Sequence, residues 1–487
     1  MLPASLIGNA LLFGLDIVVN GVLGTAGYGM FNAVKRVLQI GGFLGLLGME
    51  NVVIRLVAVS ARAGGGTDAP GGTASGRDGE AAVRTAFAAT FVVSLVLAAI
   101  LSFGPLAMWL GCSRMALAVG ASSLPLAAIR TVAVSASQGW GVVRDRAVVM
   151  FVVWPIAQLA GVLVLGWALA LGVEGVLAAY VGAMALGAAW AMVGLYRVRP
   201  SVFRGDWAFS AVGGMWLIAW PLWAQGVVMA LYSWLDQVLL AAIRSATDAG
   251  VYGPVATLAQ LFGVGLGALN SAFAPVIAQK HADGDLAGLE KLYRLVTRWA
   301  VAVAVPPLVV CAMVPEAVLA FWPHGSPLAA PALRIICASQ LFATAVGSVN
   351  YLLIMSGRQT QVLWNGLPAV ALNLGFSLAL VPTWGVTGAA IANSVATVAA
   401  NGIAMVQVWR GLGIHPFHRG LLRVVAAAVP SALAVLALSL VFEGRVLAVA
   451  SGCAGGVAFL FALATLGFDE DDAMVLGAVR RTLGMGG

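Results

Sequence analysis

Hydrophobic residues run through this chain in blocks long enough to cross a bilayer, and the connections between the blocks are short and mostly basic. A helix needs about 20 apolar residues to span the hydrocarbon core. Such runs occupy 4–24, 37–59, 83–104, 116–136, 147–170 and 175–196 in the first half. A second set lies at 212–243, 250–278, 299–321, 332–355, 363–381 and 386–408, followed by a pair at 424–441 and 446–467. The pattern predicts an all-α integral membrane protein of about 14 transmembrane helices, built as two six-helix lobes plus a C-terminal helix pair.

The lobes look duplicated. Gly172-Val173-Glu174-Gly175-Val176 and Gly385-Val386-Thr387-Gly388-Ala389 begin alike, and Pro155 and Pro368 precede them at the same separation. Two repeats facing each other are a common way to build a central path, so function is sought between them. The expected boundaries are 1–205 for the first lobe, 206–412 for the second and 413–487 for the last helix pair and a cytoplasmic tail.

Composition removes the soluble alternatives. The chain is 61% hydrophobic and 9% charged with mean hydropathy +0.99, where soluble domains carry about 25% charge. Lys and Arg concentrate in the connections after even-numbered spans and in the C-terminal tail, which places both termini in the cytoplasm. The net charge of +7 therefore reflects topology and not nucleic-acid binding. The first apolar run lacks a basic leader and carries Asp16 near its middle, so it reads as a retained helix. Cys112, Cys311, Cys337 and Cys453 are widely spaced and read as small core residues.

Some polar segments stand out between spans. The Gly-rich stretch 64–79 reads as a cytoplasmic linker. The segment from Lys280 to Arg298 predicts a turn at Asp283-Gly284 followed by a short amphipathic helix, and His415 and His418 read as solvated surface. Pro221 and the Pro306-Pro307 pair are expected to interrupt the seventh and ninth spans.

Polar residues inside the spans carry more weight, because a charge at a helix centre costs roughly 2.5 to 3.5 kcal/mol on insertion scales. Asn9, Asp16 and Asn20 recur at i, i+7 and i+11 in the first span, which sets them on one helical stripe. Gln225, Tyr232 and Asp236 repeat that spacing in the seventh. The stripes predict polar groups facing a shared interior; the alternative is that Asp16 and Asp236 hold neighbouring helices inside each lobe. Lys35 and Arg36 fall about two turns into a long helix that begins near Tyr28, with Arg55 in the same helix and Arg130 in the fourth span. With Arg244 they would make the interior cationic, although Arg55 and Arg130 are near enough to span ends to snorkel.

Several motifs, in order over the fourteen spans, carry a resemblance. They are Ala26-Gly27-Tyr28-Gly29, Gly48-Met49-Glu50, Asp248-Ala249-Gly250-Val251-Tyr252-Gly253, Ala274-Pro275, Met355-Ser356-Gly357-Arg358 and Trp384-Gly385-Val386-Thr387-Gly388-Ala389-Ala390-Ile391-Ala392. Together they resemble the polysaccharide-transporter, or Wzx-type, flippases of the multidrug/oligosaccharidyl-lipid/polysaccharide (MOP) exporter superfamily, over nearly the whole chain. The resemblance implies a MATE-like fold in the bacterial cytoplasmic membrane. It also implies an alternating-access flippase, not an enzyme, that moves an undecaprenyl-diphosphate-linked oligosaccharide to the outer leaflet for cell-surface polysaccharide assembly.

On this reading a wet basic cavity replaces the water that a diphosphate-sugar head would lose in hydrocarbon. Arg36, Arg55, Arg130 and Arg244 are candidate partners for diphosphate or acidic sugar, since Arg offers bidentate donors. Asn9, Asn20, Gln225, Tyr232, Asn270 and Asn350 would address sugar hydroxyls, and Asp16 and Asp236 could couple transport to H⁺ or Na⁺. No cofactor or metal is expected; the partners are the lipid-linked substrate, membrane lipids and polysaccharide polymerase machinery. The last two spans would offer an apolar groove for the polyprenyl tail.

Other classes fit less well. A lipid II flippase of peptidoglycan synthesis shares the expected features, whereas a MATE-type drug or cation antiporter normally has twelve spans and an anionic or aromatic pocket. A membrane glycosyltransferase or polymerase would carry a sizeable outward catalytic loop, but 172–174 and 383–385 are little more than turns. A structural membrane protein is the remaining class, against which the preserved stripes argue.

Overall fold

The structure is a computed structural model, and it describes residues 2–63, 76–142, 144–204 and 212–466. Of the expected linker at 64–79, residues 64–75 lie outside the described residues and the remainder already belongs to a helix; the C-terminal tail also lies outside them.

The helices of the first part are α1 (Leu2–Leu46), α2 (Met49–Ala63), α3 (Gly76–Phe103), α4 (Leu106–Trp109), α5 (Arg114–Ala121), α6 (Ser123–Gly139), α7 (Arg144–Val148), α8 (Trp154–Gly161), α9 (Gly172–Val198) and α10 (Val212–Ile243). Those of the second are α11 (Ala246–Ala282), α12 (Leu286–Met313), α13 (Pro315–Leu319), α14 (Ala330–Val346), α15 (Val349–Met355), α16 (Gln359–Leu412), α17 (Arg419–Ser439) and α18 (Gly444–Thr465). By backbone proximity the chain divides into two compact units, Pro3–Thr247 and Asp248–Gly487. The boundaries expected at 205 and 412 refer to the sequence repeat and not to compactness.

Twelve helical segments among the described residues are long and apolar enough to cross a membrane. Two exceed one crossing: at about 1.5 Å per residue, the 54 residues of α16 would extend far beyond a bilayer core of about 30 Å. α16 turns back at Gly385 (φ 51°, ψ −123°), and α1 breaks at Gly24 (φ 66°, ψ 177°). A residue without Cβ adopts such angles at little cost. Twelve membrane-capable segments, two of them broken at a glycine, stand against the fourteen expected. Large apolar side chains also face outward, among them Leu217 at 73% exposure and Phe461 at 72%, as a lipid-facing surface requires.

The repeated turns adopt the same local geometry. Gly172 and Gly385 both have positive φ and each opens a helix. Three residues on, a Cβ at Gly175 would lie 2.8 Å from the carbonyl oxygen of Leu165, and one at Gly388 would lie 2.6 Å from that of Leu380. The first glycine makes each turn and the second lets the segments that flank it close together.

Apolar cores among the described residues hold the first unit together. Tyr28, Phe31, Val34 and Leu38 of α1 pack with Leu117, Leu124 and Leu177, while Met49, Val53 and Val57 of α2 pack with Phe87 and Val132. In the second unit Val301 and Val305 of α12 pack with Leu421 and Val424 of α17 and with Phe459 of α18.

Several expected elements differ. The run at 37–59 is not one helix: Leu47 and Gly48 take positive φ between α1 and α2, so Arg55 does not share a helix with Lys35 and Arg36. The run at 332–355 breaks similarly between α14 and α15 at Gly347. Pro221 lies within a continuous α10, and Pro306 and Pro307 lie within a continuous α12. No separate amphipathic helix follows Gly284; α12 starts directly behind the N-cap Asp285, whose Oδ1 accepts the Gly288 N–H at 2.8 Å. Among the free cysteines, Cys311 and Cys337 are buried, Cys112 is half-buried and Cys453 is exposed, so only the middle two are core residues.

Candidate functional site

The second half of α1, α2, α6, the segment from α7 to α8, α9 and α10 line a cavity of about 410 Å³ within the first unit. That is a volume suited to a small-molecule head group. Its polar wall contains Gln39, Glu50, Asn51, Arg130, Thr131, Ser135 and Arg146, and its aromatic wall contains Phe43, Trp154, Tyr180 and Trp234.

Local irregularity shapes this wall. Val149–Val153 and Val162–Ala168, on either side of α8, form π-helical turns. Such turns insert a residue and often mark functional sites. Val149 and Met150 in the first turn and Trp154 just after it all line the cavity, and Pro155 restarts the α-helix. Trp154 stands edge-on to Tyr180, with ring centroids 6.3 Å apart.

Arg130 is 9% exposed, and its guanidinium lies 5.6 Å from the centroid of the Trp154 ring. Its Nε and Nη1 are buried and meet no hydrogen-bond partner. The aliphatic stem passes Gly187 of α9, where a Cβ would be 3.2 Å from Cδ. A cation desolvated in this way attracts an anion far more strongly than one in water. Glu50 Oε2 and Trp154 Nε1 are likewise buried without partners, although Glu50 Oε1 accepts from Asn51 at 3.1 Å.

Arg36 is held quite differently. It donates from Nε to Gln237 Oε1 at 3.0 Å and from Nη1 to Gln39 Oε1 at 2.8 Å, and it lies 5.8 Å from the Trp234 ring centroid. Asp16, Tyr28, Asp236 and Tyr180 all act on it electrostatically. The Tyr28 hydroxyl in turn donates to Asp16 Oδ2 at 2.6 Å, across the Gly24 break. Arg36 thus ties the polar stripes of α1 and α10 together, beside the cavity wall that Gln39 and Trp234 form.

The sequence-derived candidates separate accordingly. Arg130 lines the cavity and Arg36 adjoins it, whereas Arg55 on α2 and Arg244 after α10 are exposed and are not among the lining residues. Asn20 and Asp236 are buried, and Asn9, Asp16, Gln225 and Tyr232 are half-buried on the same two helices. Asn270 and Asn350 belong to the second unit; Asn270 is buried and accepts from the Ser348 hydroxyl, and Asn350 is half-buried. Residues that sequence reasoning passed over are Gln39, Glu50, Asn51, Arg146, Gln237 and the aromatic wall. Gln39 could have been found, since it stands three residues beyond Arg36 on one helical face; Trp154 looks like core in an apolar run.

Residues 33–322 match the profile of a family described as "Polysaccharide biosynthesis protein". No curated protein matches the chain. Among solved structures, the fold is similar to the lipid II flippase MurJ in an inward closed conformation, with TM-score 0.74 and 11% identity over 94% of this chain and 96% of that one. It is also similar to an inward-facing multidrug resistance MATE family transporter of the MOP superfamily, with TM-score 0.64 and 13% identity over 83% and 94%. A MOP superfamily transporter from Pyrococcus furiosus, described by the reverse polarity of its binding pocket, follows with TM-score 0.55 and 15% identity over 84% and 94%. The profile spans more than half of the chain, so this multi-pass membrane protein, with a MurJ- and MATE-like fold, belongs to the polysaccharide biosynthesis family.

Proposed function

We propose that the protein is a flippase that carries an undecaprenyl-diphosphate-linked oligosaccharide across the bacterial cytoplasmic membrane by alternating access, for cell-surface polysaccharide. The observation that carries this reading is Arg130: a guanidinium nine-tenths buried, with two donor nitrogens unaccepted, in a cavity walled by tryptophan and tyrosine. An amphiphilic anion meets both needs. Its charged oxygens take the Arg130 donors, while sugar rings lie on the aromatic faces and their hydroxyls reach Gln39, Asn51 and Ser135. Glu50 adds an acceptor for hydroxyl donors and disfavours a ligand that is anionic throughout.

Membership of a polysaccharide biosynthesis family supports the lipid-linked oligosaccharide over other cargo. For the polyprenyl tail, α17 and α18 border an open apolar hollow of about 630 Å³ lined by Leu438, Ala450, Cys453, Ala454 and Phe461. Asp16 and Asp236 are counter-charges of Arg36, and a coupling H⁺ or Na⁺ at either carboxylate would act by loosening that network. The polymerase that extends the exported unit is the expected partner.

A second reading, lipid II transport, is favoured by the likeness to MurJ over 94% of this chain. Purified protein in vesicles, offered an undecaprenyl-diphosphate oligosaccharide, lipid II and an organic cation in separate assays, distinguishes them. Faster translocation of the oligosaccharide supports the proposal; transport of lipid II alone, or of the cation alone, replaces it.

A further inference from the structure

We propose that a phosphate-bearing anion binds a basic pocket in the second unit, where the first turns of α12 meet the start of α17. The pocket encloses about 370 Å³ and is lined by Glu290, Lys291, Arg294, Arg298 and His418. Lys291, Arg294 and Arg298 follow at i, i+3 and i+7, so one face of α12 presents all three. Glu290 is the one carboxylate of the lining and pairs with Arg294 at 2.6 Å. Three cations against one acid leave the lining net positive.

The surroundings strengthen that charge. Arg298 is only 4% exposed, and its Cδ lies 3.4 Å from where a Cβ of Gly420 would stand, so it passes close against the first turn of α17. Arg294 Nε also donates to the His415 carbonyl at 3.4 Å, which anchors the loop between α16 and α17 over the pocket. His415 Nδ1 on that loop is buried and meets no partner. His418 Nδ1 lies 2.9 Å from the Pro416 carbonyl, a contact that fixes the ring beside the pocket. α17 begins with no side-chain cap on its N-terminal amides, whose partial positive charge adds to the field. His418 lines the pocket and His415 packs on Arg294 beside it, both half-buried and not the solvated surface that the sequence suggested.

A phosphate fits this arrangement better than a single carboxylate does. It offers several acceptor oxygens and more negative charge to donors that converge from α12 and the α17 loop. The Lys and Arg bias assigns this end of both helices to the cytoplasm, where basic pockets beside membrane helices take up anionic lipid head groups. The same chemistry would accept free phosphate, and the site is separate in sequence and in unit from the Arg130 cavity.

The test uses the full-length protein without transport substrate, so its outcome is independent of what the protein carries. Native mass spectrometry after release from nanodiscs of phosphatidylglycerol or phosphatidylcholine counts retained lipid, and a thermal shift with inorganic phosphate against chloride at equal ionic strength reads the soluble source. Wild type is expected to retain phosphatidylglycerol selectively or to shift with phosphate, the first result naming a lipid head group and the second a soluble phosphate. Lys291→Gln, at an exposed position, should weaken the response about tenfold, and Lys291→Gln with Arg294→Gln more. Equal retention of both lipids with no phosphate shift overturns the proposal, as does a Lys291→Gln response equal to wild type.

Discussion

Arg130 and Arg36 are both buried arginines, yet opposite outcomes are expected from removing them. Arg130 has donors that nothing accepts, so Arg130→Ala relieves a desolvated charge and should leave the melting temperature of the purified protein unchanged or raised. Export should fall at least about tenfold, because truncating one partner of a buried charge contact costs about 2–5 kcal/mol of binding. Arg36→Ala instead strips a partner from Gln237 and Gln39 and a counter-charge from Asp16 and Asp236. Breaking a buried network of that kind costs about 3–5 kcal/mol of stability, and a clear drop in melting temperature checks it. Both arginines could be read in the sequence, Arg130 because a charge inside an apolar run declares itself and Arg36 because it falls two turns into a long helix. The tryptophans beside them could not, because Trp154 stands among apolar neighbours, Trp234 beside the polar stripe of its helix, and only the fold decides which ring faces a cavity.

Turns and caps show what a sequence pattern specifies among the helices. The repeat motif singles out Gly172 and Gly385, and both make positive-φ turns. The second glycine of each motif is the more constrained: Gly175→Ala or Gly388→Ala should destabilise by about 1–3 kcal/mol, as overpacking does, measurable by thermal unfolding in detergent. Periodicity could not find the breaks at Leu47-Gly48 and Gly347, because hydropathy continues across them while the backbone does not. It also over-read the prolines of α10 and α12, whose helices continue. At the head of α12, the Lys280 hydrogen bond and ion pair at 2.8 Å, with the Gly288 N–H, hold the Asp285 carboxyl below its ordinary value of 3.8. A depressed pKa stabilises the folded state above the unfolded value and ceases to do so as pH falls through the folded one. Hydrogen exchange in the first turn of α12 should therefore be unaffected between pH 5 and pH 8 apart from intrinsic chemistry, and should gain protection loss only below about pH 4. Asp285→Asn should abolish that acid transition.

For the whole molecule, hydropathy was enough to give a polytopic all-α protein, with twelve membrane-capable segments among the described residues against the fourteen expected, two of them broken at Gly24 and Gly385. The site was only half accessible, since a cavity is assembled from six stretches of chain that no single window of sequence contains. The central claim is that the first unit holds the charged head of a lipid-linked sugar through Arg130 against an aromatic wall. Its most direct measurement is the rate at which an undecaprenyl-diphosphate oligosaccharide crosses vesicles containing equal amounts of folded wild type, Arg130→Lys or Arg130→Ala. A rate lost in Arg130→Ala and partly restored in Arg130→Lys is the predicted result; equal rates in all three would contradict the account.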